Sequence, residues 1–191
     1  MSSRHVFTPI LIAASLVLLI SFAIRASFGV FQIPIANDLG WFRTEFSLAI
    51  AIQNLAWGIA TPLFGAFAEK LGDRKAVVVG VLVYALGLAL SSMASTATSH
   101  QLLEILVGVG IAGTGFGVIL GVVGRAASDE TRSLALGITT AAGSAGQIVG
   151  PPLTQYLLNA TTWQNVFLMY AGVILLALLA LPFMKAPPRV S

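Results

Sequence analysis

The sequence predicts an all-α membrane protein of six transmembrane helices with both termini in the cytoplasm. Three observations predict it. Of 191 residues, 57% are hydrophobic and 9% charged, against about 25% charged in soluble domains. Six apolar runs, at residues 8–33, 44–68, 76–97, 101–124, 133–158 and 162–184, reach the roughly 20 residues that a helix needs to cross about 30 Å of hydrocarbon. Short joints separate these runs, and their basic residues alternate by side. Arg4, Lys70, Arg74, Lys75, Arg125, Arg132, Lys185 and Arg189 share one side, and Arg43 stands alone on the other. That bias places the richer side, with both termini, in the cytoplasm. The expectation is one six-helix domain in the plasma (inner) membrane.

Taken in order, the first run begins after Arg4 and resembles a signal peptide. It outlasts the 7–15 apolar residues of a cleavable signal and resumes beyond Arg25, so it reads as a retained helix. Ser21, Arg25, Phe28 and Gln32 fall at offsets 0, 4, 7 and 11, one helical face that suits a water-filled cavity better than lipid. The second run carries "AIQNLAWGIATP", where Gln53, Trp57 and Thr61 share a face with Asn54 beside it. These groups suit hydrogen bonds to a substrate or to another helix. Asp73 is placed to cap the third run, Thr98 with Gln101 to form a capping box for the fourth, and Ser128 to cap the fifth.

The fourth run spaces Gly113, Gly117 and Gly121 four apart, and the fifth does so with Gly146 and Gly150. That spacing stacks glycines on one face, where another backbone comes close. Two uses fit: packing within one bundle, or a surface along which two bundles slide. Pro151 and Pro152 each remove a backbone donor, so an irregularity is expected there. Gln147, Tyr156 and Thr114 are further polar groups within the spans.

With no cysteine among the 191 residues, thiolate chemistry is excluded. His5 and His100 have no ligand partners at metal spacing, and no phosphate loop, nucleophile triad or carboxylate pair occurs. No enzyme activity, metal or cofactor is expected. The basic residues are scattered among apolar spans, which argues against nucleic-acid binding. Glu104, about one turn inside the fourth run, reads as an exposed helix-end carboxylate, so nothing here supports proton coupling. Arg25 is the outstanding group. An arginine at the bilayer centre costs between ~2.5 kcal/mol and over 10, and its planar fork of donors fits a carboxylate. The alternative is snorkelling, since Ile33 lies eight residues on, about 12 Å along a helix.

The joint between the second and third runs reads "GAFAEKLGDRKAV". With Gly65, Glu69, Lys70, Gly72 and Arg74 in register, it resembles the cytoplasmic loop signature of the major facilitator superfamily. In the fifth run, Gly137, Gly146 and Gly150-Pro151 resemble the glycine–proline pattern of exchangers in that superfamily. Trp163 through Phe167 gives a further match, and Gly108, Gly110 and Ala112 fit the fourth helix, where Glu104 replaces an arginine.

The resemblance covers the amino-terminal half of the family pattern, nearest in tone to the oxalate–formate and monocarboxylate branch. It implies two inverted three-helix repeats and a secondary transporter, or half of one, moving a small organic anion by alternating access. It also implies a second six-helix half, from another chain or another copy, and substrate contacts at Arg25, Phe28, Gln32, Gln53, Asn54 and Trp57. Gly65, Glu69, Lys70, Gly72, Arg74 and Arg125 would form a conformational latch, with plain charge anchoring as the alternative. Gly137, Gly146, Gly150 and Pro151 would serve helix packing. The rival reading is a non-transporting partner subunit or relic half-carrier.

Overall fold

The structure, a computed structural model, describes residues 6–187; Arg4, His5 and Arg189 lie outside them. Thr8 opens the first helix, its hydroxyl accepting the Leu11 amide at 3.3 Å with Pro9 in the first turn. Helix α1 (Pro9–Ala26) passes through a tight turn at Ser27 into α2 (Phe28–Leu39), which Gly40 ends in the left-handed conformation at φ 68°. Helix α3 (Arg43–Leu71) is ended by Gly72 at φ 101°, and α4 (Asp73–Ser91) starts at the next residue. Helix α5 (Ala97–Thr114) breaks at the extended Gly115 and resumes as α6 (Phe116–Ala126). Helix α7 (Arg132–Ala160) is followed by α8 (Trp163–Leu176) and a 3₁₀ segment, Ala177–Phe183. No strand occurs among the described residues.

These pieces form six rods. Five are long and apolar enough to cross a membrane: Pro9–Leu39, Arg43–Leu71, Asp73–Ser91, Ala97–Ala126 and Trp163–Phe183. Helix α7 matches them in length at 29 residues, about 44 Å. It is more polar, with Thr139, Thr140, Ser144, Gln147, Thr154 and Gln155 along it.

Small residues set the packing. Lipid tails are as apolar as leucine, so helices associate in a membrane through close contact and polar bonds. Gly146 and Gly150 press onto α1. A methyl group at residue 150 would fall 2.2 Å from the Ala23 carbonyl oxygen, and one at 146 would fall 2.3 Å from that of Leu19. Gly108 holds α5 equally close to α3, since a methyl there would fall 2.3 Å from the Gln53 carbonyl oxygen. Thus α1 pairs closely with α7, and α3 with α5. The aromatic core gathers beside them, with Phe31 stacked on Phe167 at 4.3 Å and Phe28 5.8 Å from the same ring.

Several expectations need correction. Helix α7 runs unbroken through Pro151 and Pro152; the interruptions fall instead at Ser27 and Gly115. The Gly146–Gly150 face is filled by α1 of the same chain, so it is no sliding surface, and Gly137 has no atom within 4 Å of where its Cβ would lie. Thr96, not Thr98, caps α5 by accepting from the Ser99 amide, while Gln101 donates across to the Glu45 carbonyl at 3.0 Å. Gly72 occupies the cap position of α4 and Thr131 that of α7, its hydroxyl 2.8 Å from that of Ser128.

Candidate functional site

Arg25 is the last basic side chain before the α1 break. It lines a cavity of about 520 Å³ together with Asn54, Trp57, Gly58, Thr61, Pro62, Phe116 and Gly117. The guanidinium carbon lies 4.6 Å from the centre of the Trp57 ring and 6.0 Å from that of Phe22. Phe22 in turn touches Phe116 at 4.6 Å and Trp57 at 5.7 Å, edge-on. One guanidinium nitrogen donates to the Asn54 side-chain oxygen at 3.2 Å. Its Nε–H is buried with no partner among the described residues. The cation therefore rests on an aromatic platform, a contact worth ~0.5–2 kcal/mol, and keeps donors for something else.

The structure brings Arg25, Asn54 and Trp57 to this cavity and leaves three expected contacts elsewhere. Phe28 is buried in the aromatic core. At Ser27 the chain tightens, its amide bonding the Ile24 carbonyl at 3.1 Å, which turns Phe28 away from Arg25. Ser21, on the same expected face, is buried with its hydroxyl 2.8 Å from that of Thr114. Gln32 donates to the Arg43 carbonyl at 3.4 Å, one rod-end away from the cavity. Gln53 is buried against α5, donating to Glu104 at 2.7 Å. Thr61, whose face was expected to hydrogen-bond a substrate or another helix, lines the cavity, and so do Phe116 and Gly117, of which no contact role was expected. The spacing of four from Trp57 to Thr61 was the signal for the first, and the glycine-dense "GTGFGVILG" for the others.

Glu104 corrects a second expectation. It is fully buried, not an exposed helix-end carboxylate, and His100 beside it is 1% exposed. A carboxylate is thus sealed inside the bundle within a span.

At the end of the bundle rich in basic residues, Asp73 pairs with Arg125, joining α4 to α6. Arg125 also donates to the Pro187 carbonyl at 3.3 Å, and Arg74 to that of Pro182 at 3.0 Å. Glu69 and Lys70 are exposed and Gly65 meets nothing within 4 Å of its Cβ position. Asp73, Arg74 and Arg125 thus tie this end of the bundle together. The Asp73–Arg125 side chains are 17% and 19% exposed, so water screens the pair only in part. Asp73→Asn should cost about 1–2 kcal/mol, read as a lower Tm in detergent, and the loss should shrink as salt is added to the wild type.

The Major Facilitator Superfamily sequence profile matches residues 13–191. The chain is 32% identical over 162 residues to "Monocarboxylate transporter 13" of Rattus norvegicus, covering 81% of this chain and 36% of that protein. It is 25% identical over 142 residues to "Methyl viologen resistance protein SmvA" of Salmonella typhimurium (strain 14028s / SGSC 2262), covering 74% of this chain and 27% of that one. The chain thus spans about a third of the length of the curated relatives it matches. Among solved structures, "Inward open conformation of the xylose transporter XylE from E. coli" superposes with a TM-score of 0.78 at 15% identity. That match covers 94% of this chain and 48% of the other, a likeness of fold. A profile match over nearly the whole sequence, laid on rods built to cross lipid, makes this chain an integral multi-pass membrane protein that belongs to the Major Facilitator Superfamily.

Proposed function

We propose that the chain is half of a secondary transporter that moves a small organic anion by alternating access, with Arg25 as the contact for a carboxylate. The observation that carries this reading is the unpartnered Nε–H of Arg25 in a cavity of about 520 Å³. Leaving a buried donor unmade costs roughly 1–3 kcal/mol, and more for a charged group. A carboxylate would accept from the guanidinium edge while Trp57 covers its face. The first turn of α6, opened by the break at Gly115, borders the same cavity through Phe116 and Gly117. Its amides have no helical acceptors, which favours negative charge on the ligand.

The packing supports a repeat architecture. The first rod pairs with the fifth and the second with the fourth, and the first and fourth are the two broken rods. Exchanging the two halves of the chain, rods one to three for rods four to six, turns each feature into the other, as two inverted three-helix repeats require. Six spans with both termini cytoplasmic, in the plasma membrane, fit that arrangement. The cavity flanked by α3 and α6 would be closed by a second six-helix half, supplied by another chain or a second copy.

The test is equilibrium binding to the full chain in lipid nanodiscs, using radiolabelled pyruvate as probe with methyl viologen as competitor. Saturable pyruvate binding that lactate displaces supports the reading. No pyruvate binding, or a preference for methyl viologen, overturns it, because a cation would be repelled by Arg25. Uptake into vesicles by the chain alone would point to pairing of copies.

A further inference from the structure

Around Glu104 the two ends of one hydrogen-bonding system face each other. Oε2 accepts from the Gln53 amide at 2.7 Å. Among the described residues Oε1 has no hydrogen-bond partner, and neither has Nε2 of His100, yet these two atoms lie 3.6 Å apart. Both side chains are sealed, at 0% and 1% exposure. His100 sits between Trp41 and Phe46, with ring centres at 5.5 Å and 5.6 Å, and Phe167 lies at 6.4 Å. Two buried, facing, unpartnered titratable atoms are what a shared proton would satisfy. With that proton the pair is neutral overall, whichever group holds it; without it, a negative charge stands uncompensated in an apolar surround.

We propose that His100 and Glu104 together form a binding site for one proton on the seam between α3 and α5. Among the described residues, no other charged group offers itself to the pair. From α3, Glu45 bonds the Phe42 amide and Arg43 lies at the helix start. From α4, the Tyr84 hydroxyl donates to the Ser21 carbonyl at 2.8 Å. From α1, Arg25 is held by Asn54 and, from α2, Asp38 accepts from Trp163. Helix α8 presents Phe167. His100 lies in the first turn of α5, so a proton arriving from the nearer aqueous face meets the imidazole first and Glu104 one turn deeper, about 6 Å. Gln53 reads the charge on Glu104 directly. Its sequence neighbour Asn54 holds Arg25, so one turn of α3 spans both sites.

The test uses the full chain in lipid nanodiscs with His5→Asn, which leaves His100 as the single histidine. The ring is followed by nitrogen-15 NMR and Glu104 by its infrared carboxyl stretch, assigned with Glu104→Gln. One transition shared by ring and carboxyl is expected. His100→Gln should move the carboxyl transition by at least about one pH unit, a tenfold change in proton affinity, as strongly coupled groups require. A pair that stays silent from acid to alkaline conditions in the unsubstituted chain overturns the proposal. So does a carboxyl transition that His100→Gln leaves unmoved. Arg25→Ala should leave the transition in place, so failure of the anion reading and failure of this one are told apart.

Discussion

Arg25→Ala should abolish most carboxylate binding, and Arg25→Lys should recover little of it. Charge-assisted hydrogen bonds contribute ~1.5–3 kcal/mol, which corresponds to roughly a ten- to hundredfold loss of affinity. Lysine retains the charge but not the planar fork, and it cannot lie flat on Trp57 while presenting two parallel donors. Its ammonium would also lose the contact geometry that Asn54 now fixes at 3.2 Å. The measurement is pyruvate binding to each variant in nanodiscs, with Tm recorded alongside. Tm should change little, because Arg25 lies at the cavity rim and the α1–α7 seam does not depend on it. Snorkelling makes the opposite forecast: Arg25→Lys binds as the wild type does. In this structure the guanidinium is not extended toward a rod end. It is turned onto Trp57 and Asn54, which belong to α3.

What the sequence disclosed and what it hid follow from the range of each interaction. The spanning rods are a property of composition along the chain, and the loop from Gly65 to Arg74 carries its family likeness in contiguous residues. Both were legible. Phe28 and Gln53 were assigned to the cavity because helical spacing places them near Arg25 and Trp57. Spacing along one helix gives a face but not the neighbour that covers it. Gln53 is covered by α5 because Gly108 lets that helix approach, and no periodicity in α3 records this. Glu104 was misread for the same reason. Its depth along α5 is shallow, but Trp41 from the α2–α3 link, Phe46 from α3 and Phe167 from α8 close over His100 beside it. The break at Ser27 depends on one tightened turn, with no proline or glycine at that residue to announce it. At Gly115 a glycine was present, yet the run of glycines around it gave no reason to choose one.

Three of the four glycines of α7, Gly137, Gly146 and Gly150, should separate sharply when each is replaced by leucine. Gly150→Leu places its Cβ only 2.2 Å from the Ala23 carbonyl oxygen and 2.8 Å from the Ala23 carbonyl carbon. Those are backbone atoms inside a helix, so no side chain can swing aside, and α1 and α7 must part. Overpacking of a core costs typically ~1–3 kcal/mol, and a rigid obstacle places this substitution at the upper end. Gly146→Leu meets the Leu19 carbonyl oxygen at 2.3 Å in the same way. Gly137→Leu meets nothing within 4 Å and should stay within about 0.5 kcal/mol of the wild type, as exposed substitutions do. Thermal unfolding in mild detergent reads the difference. At ~2–4 °C per kcal/mol for a chain of this size, Gly150→Leu should lower Tm by several degrees while Gly137→Leu leaves it unchanged. Equal losses at all three would reject the seam as the cause. The seam also connects stability to the site. Ala23 is two residues before Arg25, so a displaced α1 carries the guanidinium off Trp57. Gly150→Ala, which adds only the methyl group, should therefore weaken pyruvate binding even in preparations that remain folded, and Gly137→Ala should not.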